Sequence, residues 1–532
     1  MQGCWAPVAS PTLPRLVRAA AARWAGASAI EDGAKALSFA DLAEAGLQAA
    51  RALLACGVKR GDRAAIWAPN LAEWIVAAIG IHSAGAVLVP LNTRFKGAEA
   101  AYVLRRSGAR ILFTVAEFLG TRYVDLLTGH DLPQLERIVT LRGEAAGATS
   151  WTELLSLAGG VSRADALVRA DDVSPDDLSD LLFTSGTSGK PKGVMTTHAQ
   201  NLRTFVSWSE IVGLREGDRY LVVNPFFHSF GYKAGWMSAL LRGATVLPHA
   251  VFDAGGVLKR IANERVSFLP GPPTLYQSLL VHPDRKKYDL SSLRLAATGA
   301  AVIPVDLVRS MREELGFGTV VTAYGLTETC GVVTMCRPED DLETIATTSG
   351  RAIPGVEVRC VDPAGKELPR GEAGEVVVRG YNVMKGYFDD DEETSKAIDA
   401  EGWLHTGDVG VMDARGNLRI TDRIKDMFIV GGFNCYPAEI EGLMYGLSGV
   451  AQVAVVGIPD ERLGEVGAAF VVPTPGAQLA PDAVIAWCRE NMANYKVPRR
   501  VEIVDALPTN ASGKIMKFRL REEAMDVQST SS

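Results

Sequence analysis

A run of hydroxyls, glycines and lysines, Thr184-Ser-Gly-Thr-Ser-Gly-Lys-Pro-Lys-Gly193, directly follows the apolar Leu181-Leu-Phe183. A strand feeding such a loop suits a triphosphate. Glycines (Gly186, Gly189) let backbone N–H groups approach the oxygens, hydroxyls (Thr184, Ser185, Thr187, Ser188) donate further bonds, and Lys190 and Lys192 supply charge. The competing reading is a flexible linker. It is weakened by ten consecutive residues without an acid and by the ordered patterns on either side. The loop is not of Walker A type, because Pro191 follows the lysine where a helix should begin. Nor does it carry the G-x-S-x-G of a nucleophile elbow.

A second run, Thr322-Ala-Tyr-Gly-Leu-Thr-Glu328, follows the apolar Thr319-Val-Val321 and places a carboxylate where it could hold magnesium against phosphates. A lone Glu is ordinarily just a solvated charge. Its weight comes from company: Thr298-Gly-Ala-Ala301, Trp403-Leu-His-Thr-Gly-Asp408, Thr421-Asp-Arg-Ile-Lys-Asp426, Gly431-Gly-Phe433 and Pro508-Thr-Asn-Ala-Ser-Gly-Lys514.

The elements that must position these runs read as α/β. Ser38-Phe-Ala-Asp41 starts a helix that Gly57 stops; strands follow at Arg63–Ala68, Val87–Leu91 and Arg110–Val115, with a helix over Leu71–Ala84. Such alternation predicts mainly parallel sheets flanked by helices, with working loops at the carboxyl ends of strands. A boundary near Asp422–Asp426 precedes a fresh alternation, so the chain divides into a large domain, 1–424, and a small α+β domain, 425–532. A net charge of -7 with dispersed Lys and Arg argues against nucleic-acid binding. The most apolar stretch, Trp74–Asn92, is broken by His82, Gly85 and Pro90, and reads as buried helix then strand, with no integral membrane contact. Seven cysteines without a C-x-x-C pair suit a reducing, cytoplasmic setting. A homodimer is the assembly left open.

Taken in order across nearly the whole chain, these segments resemble the adenylate-forming superfamily of acyl-CoA synthetases, luciferases and peptide-synthetase adenylation domains. The resemblance implies an ATP-dependent acyl-CoA ligase using ATP, Mg²⁺ and coenzyme A. Thr184–Gly193 becomes the phosphate loop. Ala300, Thr322, Ala323 and Tyr324 line the adenine pocket, and Thr327 contacts phosphate. Glu328 binds Mg²⁺, Asp408 and Arg423 hold the ribose, and Lys425 is the hinge. Lys514 bridges the attacking carboxylate and the α-phosphate, while Gly431 and Gly432 line the pantetheine tunnel.

For the acid, Asn224-Pro-Phe-Phe-His-Ser-Phe-Gly-Tyr-Lys-Ala-Gly235 borders the acyl pocket in that family. Phe227, His228, Tyr232, Lys233, Gly299 and Gly325 are the expected substrate contacts, with His228 as a gate toward CoA. Lys233 reads either as snorkelling to solvent or as a donor to a substrate oxygen. No Asp lies between Leu221 and Leu241 to meet an ammonium, which favours an amine-less acid. The runs Asn224–Gly235, Leu269–Val281 and Ala323–Asp340 resemble the CoA ligases of bacterial steroid degradation. That resemblance implies a bicyclic keto-propanoate substrate. The alternative is a medium- or long-chain fatty acid.

Overall fold

Ser38 closes a capping box: its hydroxyl accepts from Asp41 N at 3.1 Å, and Asp41 Oδ2 accepts from Ser38 N at 3.1 Å. The helix Phe39–Ala55 follows, and the left-handed Gly57 (φ 77°) ends it. A computed structural model describes residues 11–184, 191–299, 303–423, 426–430, 433–460, 462–492, 494–510 and 515–529. Helix Ala72–Ser83 is mostly apolar and is buried on every side, with Glu73 ion-paired to Lys35 and Arg142, and then delivers the buried strand Val87–Pro90. Among the described residues no helix is long and apolar enough to cross a membrane.

An eight-stranded sheet runs in the order Gly386–Tyr387, Lys192–Thr197, Leu178–Thr184, Val87–Pro90, Arg63–Trp67, Ala109–Thr114, Arg137–Thr140, Thr149–Ser150. The six strands from Leu178–Thr184 onward are parallel; the first two run antiparallel to their neighbours. A second sheet region pairs Leu295–Gly299 in parallel with Thr319–Tyr324. The expectation of mainly parallel sheets fails for Val356–Val361, Ala373–Gly380, Leu404–Met412 and Leu418–Arg423, which form an antiparallel sheet. The reason is turn chemistry. Asp362 and Asp413 accept backbone N–H groups two and four residues on, and Gly365 and Gly416 take positive φ, so the chain reverses tightly between the first two and the last two of these strands.

One apolar core extends from Leu13 to Leu418. The C-terminal sheet, built on Val450–Asp460 and Gly464–Pro473, buries both faces separately. Val453 and Val455 pack under helices Pro437–Met444 and Pro481–Asn491, while Ala454 and Val456 face Leu520 and Ala524. This is the period-two alternation of a strand covered on both sides.

Candidate active site

Leu178–Thr184 and Lys192–Thr197 form an antiparallel hairpin, with Phe183 opposite Gly193 and Thr184 opposite Lys192. The loop Ser185–Lys190 lies outside the described residues, but its two stems are fixed. Leu178–Thr184 pairs in parallel with Val87–Pro90, so Thr184 emerges at a carboxyl edge as expected. On its other side Lys192–Thr197 pairs with Gly386–Tyr387, reinforced by Phe388 N to Gly193 O at 2.8 Å and Lys385 N to Met195 O at 2.9 Å.

That third strand brings in a residue sequence reasoning missed. The Tyr387 hydroxyl donates to Glu328 Oε1 at 3.0 Å, and Met384 N donates to the Glu328 carbonyl at 2.8 Å. Lys192 Nζ lies 4.9 Å from the centre of the Tyr387 ring and is ion-paired to Glu393. Hydrogen bonding from Lys192 pushes the Glu393 carboxyl down to about 2. Burial raises the Tyr387 phenol, and the Glu328 carboxylate raises it further, so it remains a donor at neutral pH. Glu328 and Lys192, far apart in sequence, thus meet across one tyrosine. Thr327 opens the short turn that carries Glu328 and is half-buried.

The residues expected to hold the nucleoside converge more directly. Tyr324 Oη donates to Asp408 Oδ2 at 2.6 Å, and Asp408 sits opposite Arg423 in the antiparallel pairing. Asp408 is buried, so its carboxylate is aimed rather than free to wander. Ala323 is half-buried. Thr322, expected to line the adenine pocket, has a buried side chain whose hydroxyl reaches the carbonyls of Ile345 (3.0 Å) and Thr348 (2.9 Å). Strand alternation turns it into the core, leaving only its backbone for a ligand. Gly299 has a packing role too, since a Cβ there would stand 2.6 Å from the Ala323 carbonyl oxygen on the neighbouring strand. At Gly325 a Cβ would collide with the backbone of Gly331 and Val332.

In the segment expected to border the acid, Asn70 clamps the chain at Asn224. Its amide donates to Val222 O (3.0 Å) and Asn224 O (2.9 Å), and its oxygen accepts from Phe226 N (2.8 Å). Phe227 and His228 are left half-buried. His228 Nδ1 accepts from Phe230 N at 3.2 Å, which places the neutral ring's proton on Nε2. Two substrate expectations fall here. Tyr232 is fully buried, its hydroxyl 3.1 Å from His82 Nε2. Lys233 neither snorkels nor meets a ligand. It is 0% exposed and ion-paired to Asp180 at 3.0 Å. Both point inward because the chain winds as a π-helical turn over Tyr232–Met237.

Ala300, Lys425, Gly431, Gly432 and Lys514 lie outside the described residues, as does the side chain of Arg423. Thr509 and Ile515 pair across the ends of the segment carrying Lys514, and Arg94 Nη1 donates to Thr509 O at 3.3 Å. Among the described residues no three His, Cys, Asp or Glu side chains converge as a metal cage. Asn70 follows the strand Arg63–Trp67, so the carboxyl-edge rule could have flagged it; Tyr387 carries no such signal.

The chain belongs to the AMP-binding enzyme family: that family's model matches residues 17–388, and the AMP-binding enzyme C-terminal domain matches 439–514. It is 52% identical over 96% of its length, and 98% of the relative's, to 3-[(3aS,4S,7aS)-7a-methyl-1,5-dioxo-octahydro-1H-inden-4-yl]propanoyl:CoA ligase of Rhodococcus jostii (strain RHA1). The ligase of the same name from Mycobacterium tuberculosis (strain ATCC 25618 / H37Rv) is 52% identical, over 91% of this chain and 93% of that one. Among solved structures, ATP-bound MatB from Rhodopseudomonas palustris superposes with a TM-score of 0.86 at 30% identity, covering 97% of this chain and 99% of that one. The anthranilate CoA ligase AuaEII in complex with anthranoyl-AMP gives 0.85 at 29% identity, covering 97% of each chain.

Proposed function

We propose that this chain activates a steroid-derived bicyclic keto-propanoate. The observation that carries the reading is 52% identity, sustained over 96% of the chain, to a ligase named for that acid. The chain is an acyl-CoA ligase that works through an acyl adenylate. The acid's carboxylate attacks the α-phosphorus of ATP and diphosphate leaves; the CoA thiol then attacks the acyl carbon and AMP leaves. The protein's task is positioning and charge neutralisation rather than nucleophilic catalysis.

In this reading Thr184–Lys192 cradles the phosphates, Tyr324, Asp408 and Arg423 hold the nucleoside, and Lys514 bridges carboxylate and α-phosphate. His228 stands between acid and CoA, and Gly431 and Gly432 face the pantetheine arm. Magnesium fits the donor set. Glu328 is one carboxylate fixed by Tyr387, and Mg²⁺ ordinarily takes one or two protein carboxylates with phosphate oxygens. Bound there, it would neutralise phosphate charge. Because Lys514 must give way to CoA between the half-reactions, a small domain from about residue 425 turns at Lys425. Described cysteines without disulfide partners support a reducing compartment such as the cytoplasm. Assembly as a homodimer is open to sizing of the purified chain.

ATP–pyrophosphate exchange across linear acids and bicyclic keto-acids tests the substrate. Preferred exchange with the bicyclic propanoate is expected; exchange with linear acids alone overturns the assignment in favour of a fatty acyl-CoA synthetase.

A further inference from the structure

The ion pair between Lys233 and Asp180 exposes no surface of either side chain. Four elements meet at it. Asp180 lies on the leading strand of the phosphate hairpin, Thr196 on its returning strand, Asn201 in helix His198–Val212 and Lys233 in the π-helical turn. Lys233 Nζ donates to Thr196 Oγ1 at 3.0 Å, Thr196 Oγ1 donates to Asp180 Oδ1 at 2.8 Å, and Asn201 Nδ2 donates to Asp180 Oδ2 at 2.6 Å. Alongside, the Tyr232 hydroxyl lies between His82 Nε2 (3.1 Å) and Ser179 Oγ (3.4 Å).

Stability alone does not account for this arrangement. Stripping two charges of water is expensive, and well-packed apolar residues of similar volume commonly do as well or better. What a hydrogen-bonded ion pair adds is direction: it is satisfied in one geometry, whereas apolar side chains slide. The element it holds needs such a constraint. Tyr232–Met237 winds as a π-helical stretch with a kink at Gly235 (ψ -109°), and such stretches are rare. Immediately before it stand Phe227 and His228, the half-buried residues facing the acyl side. The hairpin at the other end of the pair is independently fixed, by Leu88 opposite Asp180 and by Gly386 opposite Met195.

We propose that Lys233 is a positioning residue: its buried pair with Asp180 sets the Asn224–Gly235 segment against the phosphate hairpin, and thereby sets where the acid's carboxylate meets the nucleotide. This deepens the ligase reading and rests on it. Strand pairing holds the hairpin on both sides, and Asn70 clamps only the start of the acyl segment, so its far end at Lys233 is tied to the hairpin through this pair, and loosening the pair displaces the acid rather than ATP. A misplacement near 1 Å can lower rate by up to about 100-fold.

The test is the double variant Lys233→Met/Asp180→Leu, which removes both charges together and leaves neither orphaned. The expected result is a folded protein melting at or above wild type, with the KM for the acid raised about 10-fold and the KM for ATP within about two-fold. A folded double variant with both KM values within about two-fold of wild type overturns the proposal. Should the double variant not fold, Thr196→Val decides, since it keeps the charges paired while deleting the hydroxyl they share. A rise of about three-fold in acid KM at constant ATP KM supports the proposal, and no rise overturns it. Variants are compared on whichever acid the wild-type enzyme exchanges fastest, so a wrong substrate assignment leaves the comparison intact.

Discussion

Replacing Tyr387 by Phe removes one oxygen and leaves the ring beneath Lys192. The lost contact is the 3.0 Å hydrogen bond to Glu328 Oε1. Hydrogen bonds to charged groups contribute about 1.5–3 kcal/mol. At about 1.4 kcal/mol per ten-fold, that range spans roughly 10- to 100-fold in kcat/KM. Glu328 is only half-buried and water can replace part of the bond, so the low end, about 10-fold, is expected. The loss should appear in ATP–pyrophosphate exchange, with the magnesium optimum displaced to higher concentration, because a carboxylate freed to rotate binds the ion less well. Reaction of supplied acyl adenylate with CoA, which no longer involves the triphosphate, should be nearly unchanged. Exchange within two-fold of wild type at all magnesium concentrations, or equal loss in both half-reactions, would refute the reasoning.

Lys514→Ala should abolish adenylation while sparing thioester formation from supplied adenylate; equal loss of both contradicts its assigned place. Thr322→Val should lower stability by about 1–3 kcal/mol in a denaturant melt, through the carbonyls left unmatched, yet leave the ATP KM within two-fold. Burial depresses His198 from its ordinary 6.5 to about 4. The unfolded chain takes that proton first, so its contribution to stability is complete above pH 6.5 and is lost as pH falls toward 4, by about 3 kcal/mol; His198→Gln should flatten that part of the melting profile. His405 behaves oppositely. Burial alone would lower it, but the Glu375 carboxylate at 2.9 Å and then Asp399 raise it, so its stabilisation is present at low pH and fades as pH rises through the folded value. An NMR titration of the His405 ring should give a pKa above 6.5.

Local signals carried much of the architecture. Ser38 and Asp41 announce a cap in four letters, and an unbroken apolar run such as Trp74–Ile81 has nowhere to go but inside. Tyr324, Asp408 and Arg423 were nameable through family motifs, and the fold brings them together. Lys233 was misread because one charged letter among aromatics does not reveal its partner; Asp180 lies 53 positions earlier, and only the hairpin brings it near. For Thr322 the motif named the residue without saying that its side chain occupies the inner face of the strand. Tyr387 escaped notice for a related reason: its role depends on a two-residue strand pairing with Lys192–Thr197, too short to leave a periodic trace. The antiparallel sheet was written in its Asp-x-x-Gly turns and could have been anticipated there.

The phenol of Tyr324 and the carboxylate of Asp408 belong to separate sheets, one mixed parallel and antiparallel and the other antiparallel throughout. In the proposed site a nucleotide would grip both, adding a brace between two β-layers that already share one apolar core and this hydrogen bond. Occupancy then feeds back on the scaffold: at 100 times its dissociation constant such a ligand adds about 2.7 kcal/mol to the native state. Bound nucleotide should then raise the melting point of the shared core, so that ATP level becomes a determinant of the enzyme's lifetime as well as its rate.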